Sequence, residues 1–498
     1  MPLPVSLYLA EQARELDRLA IQQLSLSDGQ LMERAGAAAY GLLRHHWPRA
    51  RRLAVICGPG NNGGDGYVLA RLAMAEGLMV RLLSPGDLLR QHDDALAARK
   101  LFEQSGGVVS PFDPATLGDC DLIVDSIFGT GLEREITGDF AEAIAAINGS
   151  RIPVLALDIP SGLDADRGIV LGIAVKANET ICFIGIKAGM LTADGPDYCG
   201  HLRFDSLGIP DTTFRQIEPY ATRIARSQLR ALFPRRRRNS HKGDFGRVLI
   251  IGGGPGMAGA ARLAGEAALY CGAGLVRVAT HPEHAYTLNT ARPELIVHSV
   301  SDGRQLRELM QQADVVALGP GLGQSDWATS LMSVVLESGL PKVLDADALR
   351  LLAMDPVYDD KRVLTPHPGE AGALLGTCAA EIQADRFRQA DSIIKQFGGV
   401  CILKGNGSIV AANKIRRVCA SGNPALAIAG SGDLLTGAVA SFIAQGLSLV
   451  DAAVAAVWLH GHAADMIAHR GERGWLASEL LPFMRDALHG LEKAADEN

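Results

Sequence analysis

The chain has 498 residues, more than one ordinary core can hold, so two or three domains are expected. Hydrophobic residues make up 48% and charged residues 21%, the balance of a soluble globular protein, and a net charge of −7 excludes any global attraction to nucleic acid or anionic lipid. No apolar run is long enough to span a bilayer, and residues 1–10 lack the basic and apolar regions of a signal peptide, so a cytoplasmic location is expected, with neither nucleic acid nor membrane as partner.

In the first half, short apolar runs at 53–56, 79–83, 122–125, 154–158 and 181–184 suit buried parallel strands. Amphipathic stretches such as 69–75 and 140–147 lie between them, and two helices are expected before the first strand, at 10–24 and 29–45. Residues 206–238 lose this periodicity and form the expected junction, giving domains at 1–215 and 225–498. The run Arg235-Arg236-Arg237-Arg238 there reads as a solvated junction or a phosphate-binding patch, the first being the simpler reading. Strands then resume at 248–251, 275–279, 295–300, 315–319, 343–345, 363–365, 400–404 and 408–412. The tail is helical, with Val450, Val454, Val457, Gly461 and Ala464 spaced to face a core. Both halves therefore read as doubly wound α/β domains, whose ligands gather at the carboxyl ends of strands.

The eight cysteines are scattered, never in Cys-x-x-Cys, and mostly lie in apolar runs, so they read as reduced and buried. No histidine shows zinc-like spacing; His460 and His462, two apart, point in different directions on a helix and read as a plain helical surface.

The sharpest signal in the first half is Gly58-Pro59-Gly60-Asn61-Asn62-Gly63-Gly64-Asp65-Gly66, which follows the first strand and opens a helix. Glycines allow close backbone approach, and free N–H groups at a helix start attract an anion such as pyrophosphate. Two further strands end on a carboxylate: Asp125 before Ser126-Ile127-Phe128-Gly129-Thr130-Gly131-Leu132, and Asp158 before Ile159-Pro160-Ser161-Gly162. A buried carboxylate needs a partner or a cation, and Asn, Asp and Ser oxygens suit a hard cation better than zinc. For Asp125 alone, bonding its own loop is an equal alternative.

Together these segments resemble the YjeF N-terminal family, epimerases of hydrated nicotinamide dinucleotides, over roughly residues 10–205, with Asn-Asn-Gly-Gly-Asp as the specific mark. The resemblance implies a Rossmann-like domain interconverting the R and S forms of NADHX and NADPHX at C6. It implies that Asn61, Asn62, Gly63, Gly64 and Asp65, with Gly129, Thr130, Gly131, Leu132, Glu133, Arg134 and Glu135, hold the substrate. Asn62, Asp125 and Ser161 would bind a potassium ion, and Asp158 would meet the substrate near its hydrated ring. Epimerisation needs reversible loss of a substituent or proton, so Asp158 is the expected acid–base.

In the second half, glycine-rich strings sit at strand exits: Gly252-Gly253-Gly254-Pro255-Gly256-Met257-Ala258-Gly259-Ala260, Gly319-Pro320-Gly321-Leu322-Gly323, Thr365-Pro366-His367-Pro368-Gly369-Glu370 and Lys404-Gly405-Asn406-Gly407-Ser408. The decisive string is Gly430-Ser431-Gly432-Asp433, which opens a helix over 434–444. Backbone N–H groups aimed at an anion beside a carboxylate are the equipment of phosphoryl transfer to a hydroxyl, with Asp433 taking the proton. An acidic residue that merely stabilises a helix start is the plainer alternative.

This half resembles the ribokinase-like superfamily and, more closely, the ADP-dependent NAD(P)H-hydrate dehydratases of the YjeF C-terminal family, marked by His241-Lys242-Gly243-Asp244-Phe245-Gly246 and Pro366-His367-Pro368-Gly369-Glu370. The resemblance implies that Ala260, Gly323, His367 and Asp433 contact the hydrated dinucleotide, while Lys404, Gly405, Asn406, Gly407, Ser408 and Gly432 bind ADP and its product AMP. Magnesium would bridge the phosphates. Ile428 and Ala429 stand where the family carries a hydroxyl and a glycine, and Ser408 stands where threonine is common. The expected whole is a bifunctional repair enzyme, forming a homo-oligomer and acting on NADHX, NADPHX and ADP. A ribokinase-like kinase of a small alcohol or vitamin precursor is the alternative. A non-enzymatic binding module, as in mRNA-decapping scaffolds, is disfavoured because Asn61–Asp65, Asp125 and Asp158 are all present.

Overall fold

The computed structural model describes residues 3–27, 29–86 and 93–493. The chain divides into two compact units, Met1–Thr222 and Arg223–Asn498.

The strands of the first unit are β1 (Ser6–Tyr8), β2 (Arg52–Cys57), β3 (Met79–Ser84), β4 (Val109–Pro111), β5 (Leu122–Ser126), β6 (Val154–Leu157), β7 (Glu179–Phe183), β8 (Ile186–Lys187), β9 (His201–Asp205) and β10 (Ala221–Arg223). A 7-stranded sheet runs in the order β4-β3-β2-β5-β6-β7-β9, with every neighbouring pair parallel. The strand order reverses between β2 and β5, which is where a doubly wound sheet opens a crevice at its carboxyl edge. Strand β2 shows why the sheet is covered on both faces. Leu53, Val55 and Cys57 pack with Met32, Leu43, Tyr67 and Leu69, while Ala54 and Ile56 pack with Ile123, Ile144 and Ile147. Alternate residues serve opposite layers, so the run must be apolar throughout. Apart from this sheet, β1 pairs in parallel with β8 and antiparallel with β10.

The second unit contains β11 (Arg247–Ile251), β12 (Leu275–Thr280), β13 (Ile296–Ser299), β14 (Val315–Leu318), β15 (Lys342–Leu344), β16 (Arg362–Leu364), β17 (Val400–Leu403), β18 (Ser408–Ala412) and β19 (Ile415–Cys419). Their order is β13-β12-β11-β14-β15-β16-β17-β18-β19, parallel as far as β17 and antiparallel beyond it. Here the order reverses between β11 and β14. Helices Ala258–Tyr270, Ser431–Ala444 and Leu449–Ala468 contribute to one large apolar core. A Cβ on Gly437 would lie 2.0 Å from the Ala264 carbonyl oxygen, so the first two helices touch backbone to backbone there.

Both units are α/β and doubly wound. The structure departs from the sequence reading in detail. Strand β6 stops at Leu157, leaving Asp158 outside it at φ +65°. Strands β1, β9 and β19 fall where charged or polar residues hid the pattern, as in Ile415-Arg416-Arg417-Val418-Cys419. Seven cysteines are buried, but Cys378 is exposed. His460 is not on a plain surface: it is buried, and His462 stacks on Trp458 with ring centroids 4.6 Å apart. Within the arginine run, Arg236 lies 3.7 Å over the Phe245 ring and donates to the Gly272 carbonyl oxygen and the Gln445 side chain, so packing explains that residue. Among the described residues, no helix is long and apolar enough to cross a membrane.

Candidate active sites

In the first unit, the Asn-Asn-Gly-Gly-Asp string forms the first turn of helix Asn61–Ala75, directly after β2 at the switch point. Close packing explains its glycines: a Cβ on Gly58 would meet the Ile127 carbonyl oxygen at 1.8 Å, and one on Gly63 the Gly58 oxygen at 2.1 Å. The loop after β5 crosses here, leaving Gly131, Glu133, Arg134 and Glu135 exposed and Gly129, Thr130 and Leu132 half-buried.

Beneath that loop, Asn62, Asp125 and Ser161 come together. Ser161 Oγ lies 2.6 Å from Asp125 Oδ1, and the Ser161 amide donates to Asp125 Oδ2 at 2.8 Å. Asn62 Nδ2 donates to the Phe128 carbonyl oxygen at 3.0 Å, while Asn62 Oδ1 is buried with no hydrogen-bond partner among the described residues. Burial pushes the Asp125 carboxyl up to about 6, against the bonds from Ser161 and Ile127 that lower it. An orphaned acceptor beside a buried carboxylate and a hydroxyl is an all-oxygen set of the kind a hard cation takes.

Asp158 belongs to a second cluster. Its Oδ1 pairs with Lys187 Nζ, whose side chain is 2% exposed at the end of β8. Its Oδ2 faces Gly129, 3.3 Å from where a Cβ would stand on that residue. Burial alone would lower the Lys187 ammonium, but Asp158, Cys182 and Asp17 raise it above its ordinary value. Burial raises the Asp17 carboxyl to about 7, with Lys187 opposing and Asp158 adding to the shift. Asp65 is half-buried by surface, yet enough protein surrounds its carboxyl that desolvation, then Asp158 and Asp17, lift it well above the carboxylate range.

In the second unit, helix Ser431–Ala444 starts from Gly430 in the left-handed conformation (φ +88°); among the described residues no side chain caps it, and the Ser431 amide donates to the Ile428 carbonyl oxygen at 3.4 Å. Asp433 lies in its first turn. Burial, then the charges of Asp345 and Glu370, raise its carboxyl to about 7 despite the pull of Lys404. Lys404 Nζ sits 3.0 Å from Asp345 Oδ1 and 3.6 Å from Glu370 Oε2, and Thr436 Oγ1 donates to Asp345 Oδ2 at 2.7 Å. Ser431 Oγ lies 3.0 Å from His460 Nε2, and burial lowers that imidazole to about 4, so it is neutral.

The other strings flank this centre. His367 caps helix Pro368–Leu375, its Nδ1 accepting from the Gly369 and Glu370 amides, while its ring stays half exposed. The Gly323 amide donates to Asp347 Oδ2 at 2.8 Å. Gly321 (φ +57°) packs so that a Cβ would lie 3.1 Å from Ala260 Cβ, which brings two of the glycine loops side by side. Arg386 donates to the Leu403 and Lys404 carbonyl oxygens and fixes the turn into Gly405; Gly407 and Ser408 are half-buried and Asn406 is exposed. Ile428 turns toward the apolar core and Ala429 is exposed, so neither side chain enters the carboxylate cluster.

A family model described as NAD(P)H-hydrate dehydratase matches residues 248–484, and one described as YjeF-related protein N-terminus matches residues 28–189. Two proteins named bifunctional NAD(P)H-hydrate repair enzyme, from Coxiella burnetii and Escherichia coli, are 46% and 44% identical to the chain. Those matches span 96% and 97% of this chain and 98% and 94% of the relatives. The chain belongs to the bifunctional NAD(P)H-hydrate repair enzymes of the YjeF family. Among solved structures, the ADP/ATP-dependent NAD(P)H-hydrate dehydratase of Bacillus subtilis, co-crystallised with ATP and Mg2+, is 30% identical, with a TM-score of 0.51 over 54% of this chain and 98% of that one. A ribokinase-like superfamily protein from Enterococcus faecalis is 25% identical, with a TM-score of 0.52 over 56% of this chain and 98% of that one.

The two clusters also bring together residues to which the sequence reading gave no role in a site. Lys187, Asp17, Asp345, Thr436 and His460 all touch or charge the two centres. Asp345 carried the same signal as Asp125 and Asp158, a carboxylate where an apolar strand stops. Lys187 carried a quieter one, a lone cation between Ile186 and Ala188 in an otherwise apolar run.

Proposed function

We propose that the first unit interconverts the R and S forms of NADHX and NADPHX at C6, and that the second dehydrates the S form using ADP. The observation that carries the reading is Asp433, a half-buried carboxyl raised to about 7 in the first turn of a helix that, among the described residues, no side chain caps. Such a group accepts a proton at physiological pH, and the adjacent dipoles stabilise charge on a moving phosphoryl group. Asp433 takes the proton of the ring hydroxyl as that oxygen attacks the terminal phosphorus of ADP. The bond to the leaving oxygen breaks and AMP departs. The phosphate ester then leaves C6 with its electron pair, and loss of a proton from C5 restores the double bond of NAD(P)H. Lys404, already charged by its neighbours, lies where it would pair with phosphate oxygens, beside Gly405, Asn406, Gly407, Ser408 and Gly432. Ala260, Gly323 and His367 line the dinucleotide side. Asp345 and Glu370 hold Lys404; once Lys404 turned to the phosphates, their oxygens would suit magnesium, which would offset the phosphate charge.

In the first unit, Asp158 would move the proton at the C6 substituent, with the dinucleotide held between the first turn of helix Asn61–Ala75 and the loop after β5. Asn62 Oδ1, Asp125 and Ser161 fit potassium, which would offset the buried Asp125 charge and order that loop. The two activities complement each other, since hydration of NAD(P)H gives both epimers and only the S form would be dehydrated.

The test supplies mixed R and S NADHX with ADP and magnesium. Complete return of the reduced-nicotinamide absorbance with equimolar AMP is expected. Return of the S fraction alone would remove the epimerase assignment. A stable phosphorylated product without NADH would turn the reading to a small-alcohol kinase.

A further inference from the structure

Lys187 is unusual for its position. An ammonium placed 2% exposed in a protein interior costs heavily unless it is paired. Among the described residues it is paired with one carboxylate oxygen: Asp158 Oδ1 meets Lys187 Nζ, while Oδ2 is turned to Gly129, in the loop that would cover the dinucleotide. The backbone around this contact is also constrained. Asp158 and Ile184 both hold positive φ, +65° and +61°, although neither is glycine. The Asp158 amide donates to the Ile181 carbonyl oxygen at 2.8 Å, and Lys187 Nζ has Cys182 Sγ at 3.4 Å as a further neighbour. The residue pair Tyr8–Lys187 in the β1–β8 ladder fixes the lysine backbone.

We propose that Lys187 is the positioning residue of the epimerase site: it anchors one oxygen of Asp158 so that the other is presented, in fixed orientation, to the C6 substituent. This rests on the epimerase reading of the first unit. Lys187 does not touch the substrate; it acts through Asp158, as the orienting partner of a catalytic base does elsewhere. Asp17 and Asp65, both half-buried, feel the charges of this pair, so the cluster sets three carboxyls around the Lys187 ammonium.

The experiment measures epimerisation of R-NADHX by full-length protein, wild type and Lys187→Met, Lys187→Arg, Asp158→Asn and Lys187→Met/Asp158→Asn. Dehydration of S-NADHX in the same preparations reports the second unit, and the cooperative unfolding transition reports folding. For Lys187→Met we expect kcat to fall about 10²-fold, the lower range for a misplaced acid–base group, with KM within a few-fold. Lys187→Arg should recover part of that loss. The double variant should be no slower than Asp158→Asn alone, because both changes remove one function. If Lys187→Met does not fold, Lys187→Arg decides: a fall in kcat of tenfold or so at unchanged KM supports the proposal, and wild-type kcat overturns it. A folded Lys187→Met with unchanged kcat, a change confined to KM, or losses that multiply in the double variant would also overturn it. Absence of epimerisation in the wild type would instead remove the epimerase reading itself.

Discussion

Each unit sets an aspartate and a lysine at the carboxyl edge of a parallel sheet, yet the two pairs are wired differently. In the first, the lysine is committed to the aspartate: Lys187 meets Asp158 directly. In the second, Lys404 is held by Asp345 and Glu370, and Asp433 receives its charge only from a distance. A carboxylate in direct contact with an ammonium is oriented. One that is buried among other carboxylates is instead made basic, as the rise of Asp433 to about 7 shows. On the proposed reading, similar residues serve aim in one unit and proton affinity in the other.

The sharpest way to break that division is to remove each aspartate. Asp433→Ala should slow dehydration of S-NADHX by about 10²–10⁴-fold while epimerisation continues, measured by NADH formation and by equilibration of the two epimers. Asp158→Ala should slow epimerisation by about 10²-fold or more and leave dehydration of the S form at its wild-type rate. Loss of both activities from either change, in a folded protein, would show that the two centres are not separate.

The contrast also predicts a pH signature. The folded carboxyl of Asp433 titrates at about 7, against 3.8 for an ordinary aspartate. As a base it must be ionised, so dehydration should fall as pH drops through about 7. For stability the sign is opposite. Folding favours the protonated form, so the contribution is complete below 3.8 and is lost as pH rises to about 7. Above that pH the folded unit carries a half-buried charge. Asp433→Asn should therefore raise the melting temperature of the second unit above neutrality, by the equivalent of roughly 2 kcal/mol after allowance for partial exposure, and not in acid. A gain independent of pH would mean that the charge is not its source.

Much of this was legible in the sequence, for physical reasons. Strands buried on both faces must be apolar at every position, so β2, β5, β11 and β14 announce themselves. The loops that follow need glycine where backbones meet, as at Gly58 and Gly63. Asp125 and Asp158 stand out because a carboxylate ends an apolar run, and Asp433 because it closes a glycine-rich string that opens a helix. Their partners do not. Lys187 lies 29 residues from Asp158, and Asp345 lies 91 residues from Thr436, and only the fold joins them. Asp17 sits on a helix where an acidic residue is unremarkable, and what sets it apart is the protein packed over it. The antiparallel β18–β19 pair was only half legible, because Arg416 and Arg417 break the apolar pattern of β19.

The smallest expected effect tests how Lys404 is kept from Asp433. Asp345 is 2% exposed and fully engaged, with Lys404 on one oxygen and the Thr436 hydroxyl on the other. Thr436→Val keeps the shape but takes away the donor, leaving Oδ2 of a buried carboxylate without its partner at a cost of about 1–3 kcal/mol. The Asp345 carboxylate is then free to turn, and its hold on Lys404 loosens. An ammonium less tightly held by Asp345 stands to favour the ionised form of Asp433, so the acid limb of the dehydration profile should move to lower pH. Because a lower proton affinity also makes a weaker base, the plateau rate should fall slightly, by a few-fold at most. A pH–rate profile of the variant beside the wild type reads both. An acid limb that stays in place, with only the melting temperature lowered, would mean that Thr436 supports the fold and leaves the basicity of Asp433 untouched.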